Sequence, residues 1–144
     1  MVDIISAAGL LLMIAGAFLL LRNQGLFSPS PIVIGVQVLA MSIMIWARIT
    51  FGGRSFHATA SPTEGGLVTT GPYRFVRHPI YASVLLLIWA GVFGNLSFEN
   101  VLFGVLTIAG AFARIISEEA LVRVRYPEYD EYARKTRRLI PFVF

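Results

Sequence analysis

The stretch Gly71-Pro72-Tyr73-Arg74-Phe75-Val76-Arg77-His78-Pro79-Ile80-Tyr81 runs straight into an uncharged apolar segment that lasts to Leu96. Two arginines, a histidine and two tyrosines crowd against the start of a hydrophobic run, in a chain that otherwise avoids charge. A second polar knot, Arg114, Glu118 and Glu119, closes the next apolar run. Two polar clusters joined by a hydrophobic hairpin point to one site at a membrane surface.

Composition agrees. The chain has 144 residues, 56% hydrophobic and 14% charged, with a mean hydropathy of +0.73. A soluble domain carries about a quarter charged residues. The excess lies in four runs, which predict transmembrane helices at about 4–21, 31–51, 79–96 and 99–117. Each is near the ~20 residues that cross ~30 Å of hydrocarbon. The expected fold is a single all-α integral membrane domain with four transmembrane helices. Loop 52–78 carries the site, and a cytosolic C-terminal segment, 118–144, ends the chain. In that segment Pro127 opens a short amphipathic helix, acidic in its first turn and basic at its end.

Only Asp3 precedes the first run, which reads as a retained anchor rather than a signal peptide. Its small residues, Ser6-Ala7-Ala8-Gly9 and Ala15-Gly16-Ala17, allow close helix packing in lipid, within the chain or between protomers. Helix one is therefore a candidate homo-oligomer contact.

Charge sets the topology. Of the twelve Lys and Arg residues, Arg22 alone follows helix one, and the Asn95–Asn100 hairpin has none. The others gather around loop 52–78 or at and beyond the end of helix four. The positive-inside rule makes that face cytosolic, with both termini on it. A pI near 10 here means anionic membrane lipids as partners, not nucleic acid. With no cysteine and two histidines, no thiolate nucleophile, disulfide or metal centre is expected. No Walker sequence or Gly-x-Gly-x-x-Gly is present.

Pro79 suits a first helical position, which puts Arg77 and His78 just before a helix N-terminus that attracts anions. Interfacial anchoring by arginine and tyrosine is the competing reading. Glu118 and Glu119 gain nothing from an anionic surface, and a helix C-terminus disfavours them. Arg114 can pair with Glu118 at i, i+4, which leaves Glu119 without an ordinary explanation. Carboxylates near a bilayer face protein interiors and mark sites. His57 reads as a loop histidine, and Trp46 and Trp89 as packing or interface residues.

In this order these residues resemble the isoprenylcysteine carboxyl methyltransferase family and its small prokaryotic relatives. The likeness begins at Arg54-Ser55-Phe56-His57. It runs through Leu67-Val68-Thr69-Thr70-Gly71-Pro72-Tyr73, Arg77-His78-Pro79-Ile80-Tyr81 and Glu118-Glu119. Tyr129-Asp130-Glu131-Tyr132 and Leu139-Ile140-Pro141 close it. Two positions depart from the family pattern: Tyr126-Pro127 replaces a common Phe-Gly pair, and Ser83 a common glycine.

The resemblance implies S-adenosyl-L-methionine as cofactor, bound at the cytosolic face of a prokaryotic cytoplasmic membrane. It also implies a lipophilic small-molecule or lipid acceptor. Tyr73, Val76, Arg77, His78 and Tyr81 would hold the cofactor, with Glu118 and Glu119 opposite and Tyr129 and Tyr132 closing over it. Arg114 and Glu118 are the candidate catalytic pair. Two other readings stand beside it. One is a sterol-type membrane reductase using NADPH, whose members share Arg-His-Pro-x-Tyr but are much longer. The other is a non-catalytic membrane assembly protein.

Overall fold

The computed structural model describes residues 2–52 and 66–144. Arg54, Ser55, Phe56 and His57 lie outside the described residues. Among the described residues five α-helices follow one another: α1 Val2–Arg22, α2 Pro31–Phe51, α3 Pro79–Gly94, α4 Phe98–Arg125 and α5 Tyr129–Lys135. A 3-10 turn, Gly71–Arg74, precedes α3. The described residues are helical, with no strand beyond one isolated bridge.

Local chemistry fixes the helix starts. Pro31 and Pro79 open α2 and α3, where a missing N–H costs nothing. Ser97 caps α4 by accepting the Asn100 N–H at 3.1 Å. The C-terminal helix begins at Tyr129, not at the expected Pro127, because α4 occupies the preceding chain as far as Arg125. That extension is a second correction, since α4 was expected to end near residue 117. Ser117 to Arg125 contains no glycine or proline, so the helix continues after its hydropathy falls. Glu118 and Glu119 therefore sit inside the helix body, and the dipole objection to them lapses.

α1, α2 and α4 are long and apolar enough to cross a membrane, whereas α3, with 16 residues, is a shorter apolar helix. Their outward side chains, such as Leu11, Phe18, Val38, Ile45 and Ile116, are apolar and exposed, as a lipid-facing surface requires. α1 lies along α4, and α2 along α3. The small residues of α1 serve the first contact. A Cβ on Gly9 would come within 2.7 Å of the Gly110 carbonyl, and one on Gly16 within 2.6 Å of Thr107 Cγ2. Leu20, Ile88 and Val92 form a core where α1 meets α3.

Each end of the bundle has its own polar chemistry. At the hairpin end, Asn23 donates to Asn100 Oδ1 at 2.9 Å, and Asn100 donates to the Asn95 carbonyl at 2.6 Å. Asn95 donates to the Phe27 carbonyl at 2.9 Å. These uncharged bonds close both loops. The opposite end holds most of the charge.

Candidate functional site

The chain approaching α3 does not run free. Val76 pairs with Arg137 in a parallel bridge. Arg77 N–H donates to the Arg137 carbonyl at 2.7 Å, and His78 N–H to the Arg138 carbonyl at 3.0 Å. The anion-attracting amides expected at this place are thus spent on backbone from beyond α5. Val76 is buried and acts through this pairing and its packing.

Glu119 is the hub. Its side chain is only 2% exposed and meets Arg77 Nε at 3.0 Å, Arg138 Nη2 at 3.1 Å and Arg123 Nη2 at 3.7 Å. His78 Nε2 lies 3.3 Å from the same carboxylate. Arg77 also donates through Nη1 to the carbonyls of Ala133 (2.9 Å) and Thr136 (2.7 Å). One arginine thereby straps α3, α4 and the chain after α5 together. The hydrogen bond to Glu119 holds Arg138 still more firmly protonated than usual.

Glu118 belongs to a second, more open group. Its side chain is 25% exposed. Tyr81 donates its hydroxyl to Glu118 Oε1, and Arg114 Nε donates to the Tyr81 oxygen at 2.7 Å. Arg114 Nη2 lies 3.4 Å from Glu118 Oε1, and Nη1 donates to the Ser6 carbonyl on α1 at 3.5 Å. His78 Nδ1 is 3.7 Å from Glu118 Oε2. The imidazole therefore stands between the two glutamates, one ring nitrogen toward each.

Aromatic rings form the third part. Tyr132 donates its hydroxyl to the Tyr73 carbonyl at 2.7 Å, fastening α5 to the turn before α3. The Tyr129 and Tyr132 ring centroids are 6.0 Å apart, and the Arg123 guanidinium lies 5.5 Å over the Tyr129 ring. The Tyr129 hydroxyl is buried with no hydrogen-bond partner. Burial raises the hydroxyls of Tyr73, Tyr129 and Tyr132 above the ordinary range, and nearby Glu119 adds to the effect at Tyr129.

The candidate catalytic and cofactor-binding residues thus converge on one end of the bundle. Sequence reasoning missed Arg123 and Arg138 as partners of Glu119. The i, i+4 spacing from Glu119 was a legible sign for Arg123. Arg138 had none, because it arrives across the break at Tyr126-Pro127.

The profile of the phospholipid methyltransferase family matches residues 30–129, which span α2 to the start of α5. The chain belongs to the phospholipid methyltransferase family. The helices α1, α2 and α4, long and apolar enough to cross a membrane, agree with an integral membrane protein of that family. Tyr132 and Arg138 lie beyond the region matched to the phospholipid methyltransferases.

Two curated proteins are also similar. Over 100 residues the chain is 36% identical to the nickel-cobalt-cadmium resistance protein NccN of Alcaligenes xylosoxydans xylosoxydans, covering 67% of this chain and 42% of that protein. Over 121 residues it is 30% identical to the cobalt-zinc-cadmium resistance protein CzcN of Cupriavidus metallidurans, covering 78% and 50%. The chain spans about half the length of these relatives. No solved structure gives a significant match.

Proposed function

We propose that this chain transfers a methyl group from S-adenosyl-L-methionine to a lipophilic or membrane-embedded acceptor, as the small isoprenylcysteine carboxyl methyltransferase relatives do. In this reading α3 completes a fourth crossing with its flanks, and both termini and the site face the cytosol. The observation that carries the reading is the unequal pair of adjacent glutamates. Four basic side chains seal Glu119, whereas Glu118 keeps an accessible carboxylate beside His78, Tyr81 and Arg114.

The residues suit this cofactor. Glu118 can accept from ribose hydroxyls, and the buried Tyr129 hydroxyl, close to Glu119, can turn to a polar group of the cofactor. The Tyr73, Tyr129 and Tyr132 rings offer faces to an adenine or a sulfonium cation. His78, between the two glutamates, is placed to meet a polar group of the cofactor. When bound, S-adenosyl-L-methionine supplies an electrophilic methyl group.

The chain's own side chains do the rest. Glu119 fixes Arg77, His78 and Arg138, so Arg77 works mainly as a strut. Arg114 and Tyr81 orient Glu118. An acceptor carboxylate would need no base, and Arg114 would orient it. An amine or thiol acceptor would pass its proton to Glu118, the carboxylate that remains open. The resistance named for the two relatives is not carried over as metal binding. His78, Glu118 and Glu119 stand together, but arginines hold their carboxylates.

The test is methyl transfer itself. Purified protein in phospholipid micelles, given methyl-labelled cofactor and total bacterial lipid extract, should move label into the organic phase. Glu118→Gln should abolish the transfer without loss of fold. Failure of the folded wild-type protein to label any lipid or lipophilic acid, amine or thiol would overturn the proposal.

A further inference from the structure

Segment 139–144 turns back on itself instead of trailing away from α5. Leu139 and Ile140 donate their N–H groups to the Phe144 oxygen at 2.8 and 2.7 Å. Val143 and Phe144 donate theirs to the Ile140 carbonyl at 3.2 and 3.1 Å. Pro141 has no N–H to place, and Phe142, at φ +64°, makes the left-handed turn that reverses the chain. Four of the hook's N–H groups find acceptors within it, which lowers the cost of placing its backbone at a lipid boundary.

Its outer side chains are bare and apolar. Phe142 is 87% and Val143 74% exposed, and Ile140 is also exposed. Water is a poor neighbour for such a patch. The hook's position names a better one. The Phe144 ring lies 5.9 Å from that of Phe112 on α4. Phe112 precedes Glu119 by two helical turns, a distance of about 10 Å along the axis. From Asn100 to Ala113 no residue is charged. The hook thus lies beside the lipid-facing wall of α4, where Ile116 is also exposed, and below the level of the charged cluster. Its neck carries Arg138, which bonds to Glu119 while its guanidinium lies 5.8 Å from the Phe144 ring centroid.

We propose that segment 139–144 is a membrane-inserted hook. Ile140, Phe142 and Val143 enter the acyl chains of the leaflet on the charged side, and the backbone rests at the headgroup boundary. Its occupant is lipid, because the hook continues the lipid-facing surface of α4. The neck, Thr136 to Arg138, is the strip paired with the chain before α3, so the bilayer holds one wall of the site in place. This arrangement departs from a wholly cytosolic 118–144 and does not depend on which acceptor or cofactor the site takes.

The chain has no cysteine, so single substitutions report single places. Phe142→Cys and Val143→Cys, nitroxide-labelled in the full chain, are reconstituted in vesicles of phosphatidylcholine and phosphatidylglycerol. Lys135→Cys, at an exposed side chain on α5, is the water reference, and Phe18→Cys on the outer face of α1 the lipid reference. Power saturation is then measured with oxygen and with a water-soluble nickel chelate. Labels at 142 and 143 should follow position 18, with nickel accessibility severalfold below that at 135. Nickel accessibility equal to that at 135 overturns the proposal, as does shielding from both reagents, which would mean a protein partner. Both native side chains are largely bare, so their replacement removes little packing.

Discussion

Arg77 and Glu119 are 42 residues apart in sequence and 3.0 Å apart in the fold. That contact joins the approach to α3 with the body of α4. Arg77 carries the joint on to α5 through the Ala133 carbonyl and to the chain after it through the Thr136 carbonyl. The site wall is therefore built by a buried charge whose partners come from three separate segments.

Removing one member of such a network leaves the others buried and unpaired, at about 3–5 kcal/mol. Glu119→Ala should lower thermal stability in detergent and expose Arg134 to Arg138 to trypsin. Glu119→Gln should retain more of both, since an amide can still accept from the arginines. Equal trypsin resistance in Glu119→Ala and wild type would mean that the strap does not hold this segment.

Tyr81 makes a different prediction. Its hydroxyl links Arg114 to Glu118. Hydrogen bonds to charged groups contribute about 1.5–3 kcal/mol, which is tenfold or more in a rate or an affinity. Tyr81→Phe should reduce methyl transfer by at least that factor. Its melting temperature should change little, because Glu118 keeps Arg114 and water.

The Tyr129 hydroxyl is buried close to Glu119 with no hydrogen bond of good geometry, so Tyr129→Phe should change the stability of the unliganded protein by no more than about 1 kcal/mol. The same change should weaken binding of S-adenosylhomocysteine. A clear loss of stability with unchanged binding would remove Tyr129 from the site.

The tyrosines also predict alkaline behaviour. Burial raises the folded-state pKa of Tyr73, Tyr129 and Tyr132 above the ordinary value of 10.0. The stability tied to their neutral form is complete below that value. It is lost as pH rises through the folded pKa, because the unfolded chain ionises first. Denaturation midpoints should hold steady to about pH 9 and then fall. Tyr129→Phe should flatten the fall.

Gly16 tests the helix packing. A Cβ there meets Thr107 Cγ2 at 2.6 Å and the Phe103 carbonyl at 2.7 Å. Gly16→Ala should destabilise by roughly 1–3 kcal/mol through overpacking. If it changes only association between copies, α1 uses its small face between protomers instead.

These residues also show what the sequence could tell. The starts of α2 and α3 were legible because Pro31 and Pro79 mark them with local chemistry. The end of α4 was not, because hydropathy reports where lipid stops and not where a helix stops. Arg77, His78, Glu118 and Glu119 stood out because each is costly near a bilayer. Arg138 looked like one more basic residue in a basic tail. Only the turn after Arg125, where α4 ends and Tyr126-Pro127 redirects the chain, brings it to Glu119. The four-way sharing of that carboxylate is tertiary information. So is the hook, since Leu139 to Phe144 looks like an unremarkable apolar end until Phe144 is seen against Phe112.

The most direct measurement of the central claim is calorimetric titration of the detergent-solubilised protein with S-adenosylhomocysteine, beside NADPH. The expected result is saturable binding of S-adenosylhomocysteine, no binding of NADPH, and loss of the signal in His78→Ala with its fold intact. Binding of NADPH alone, or of neither compound to a folded sample, would contradict it.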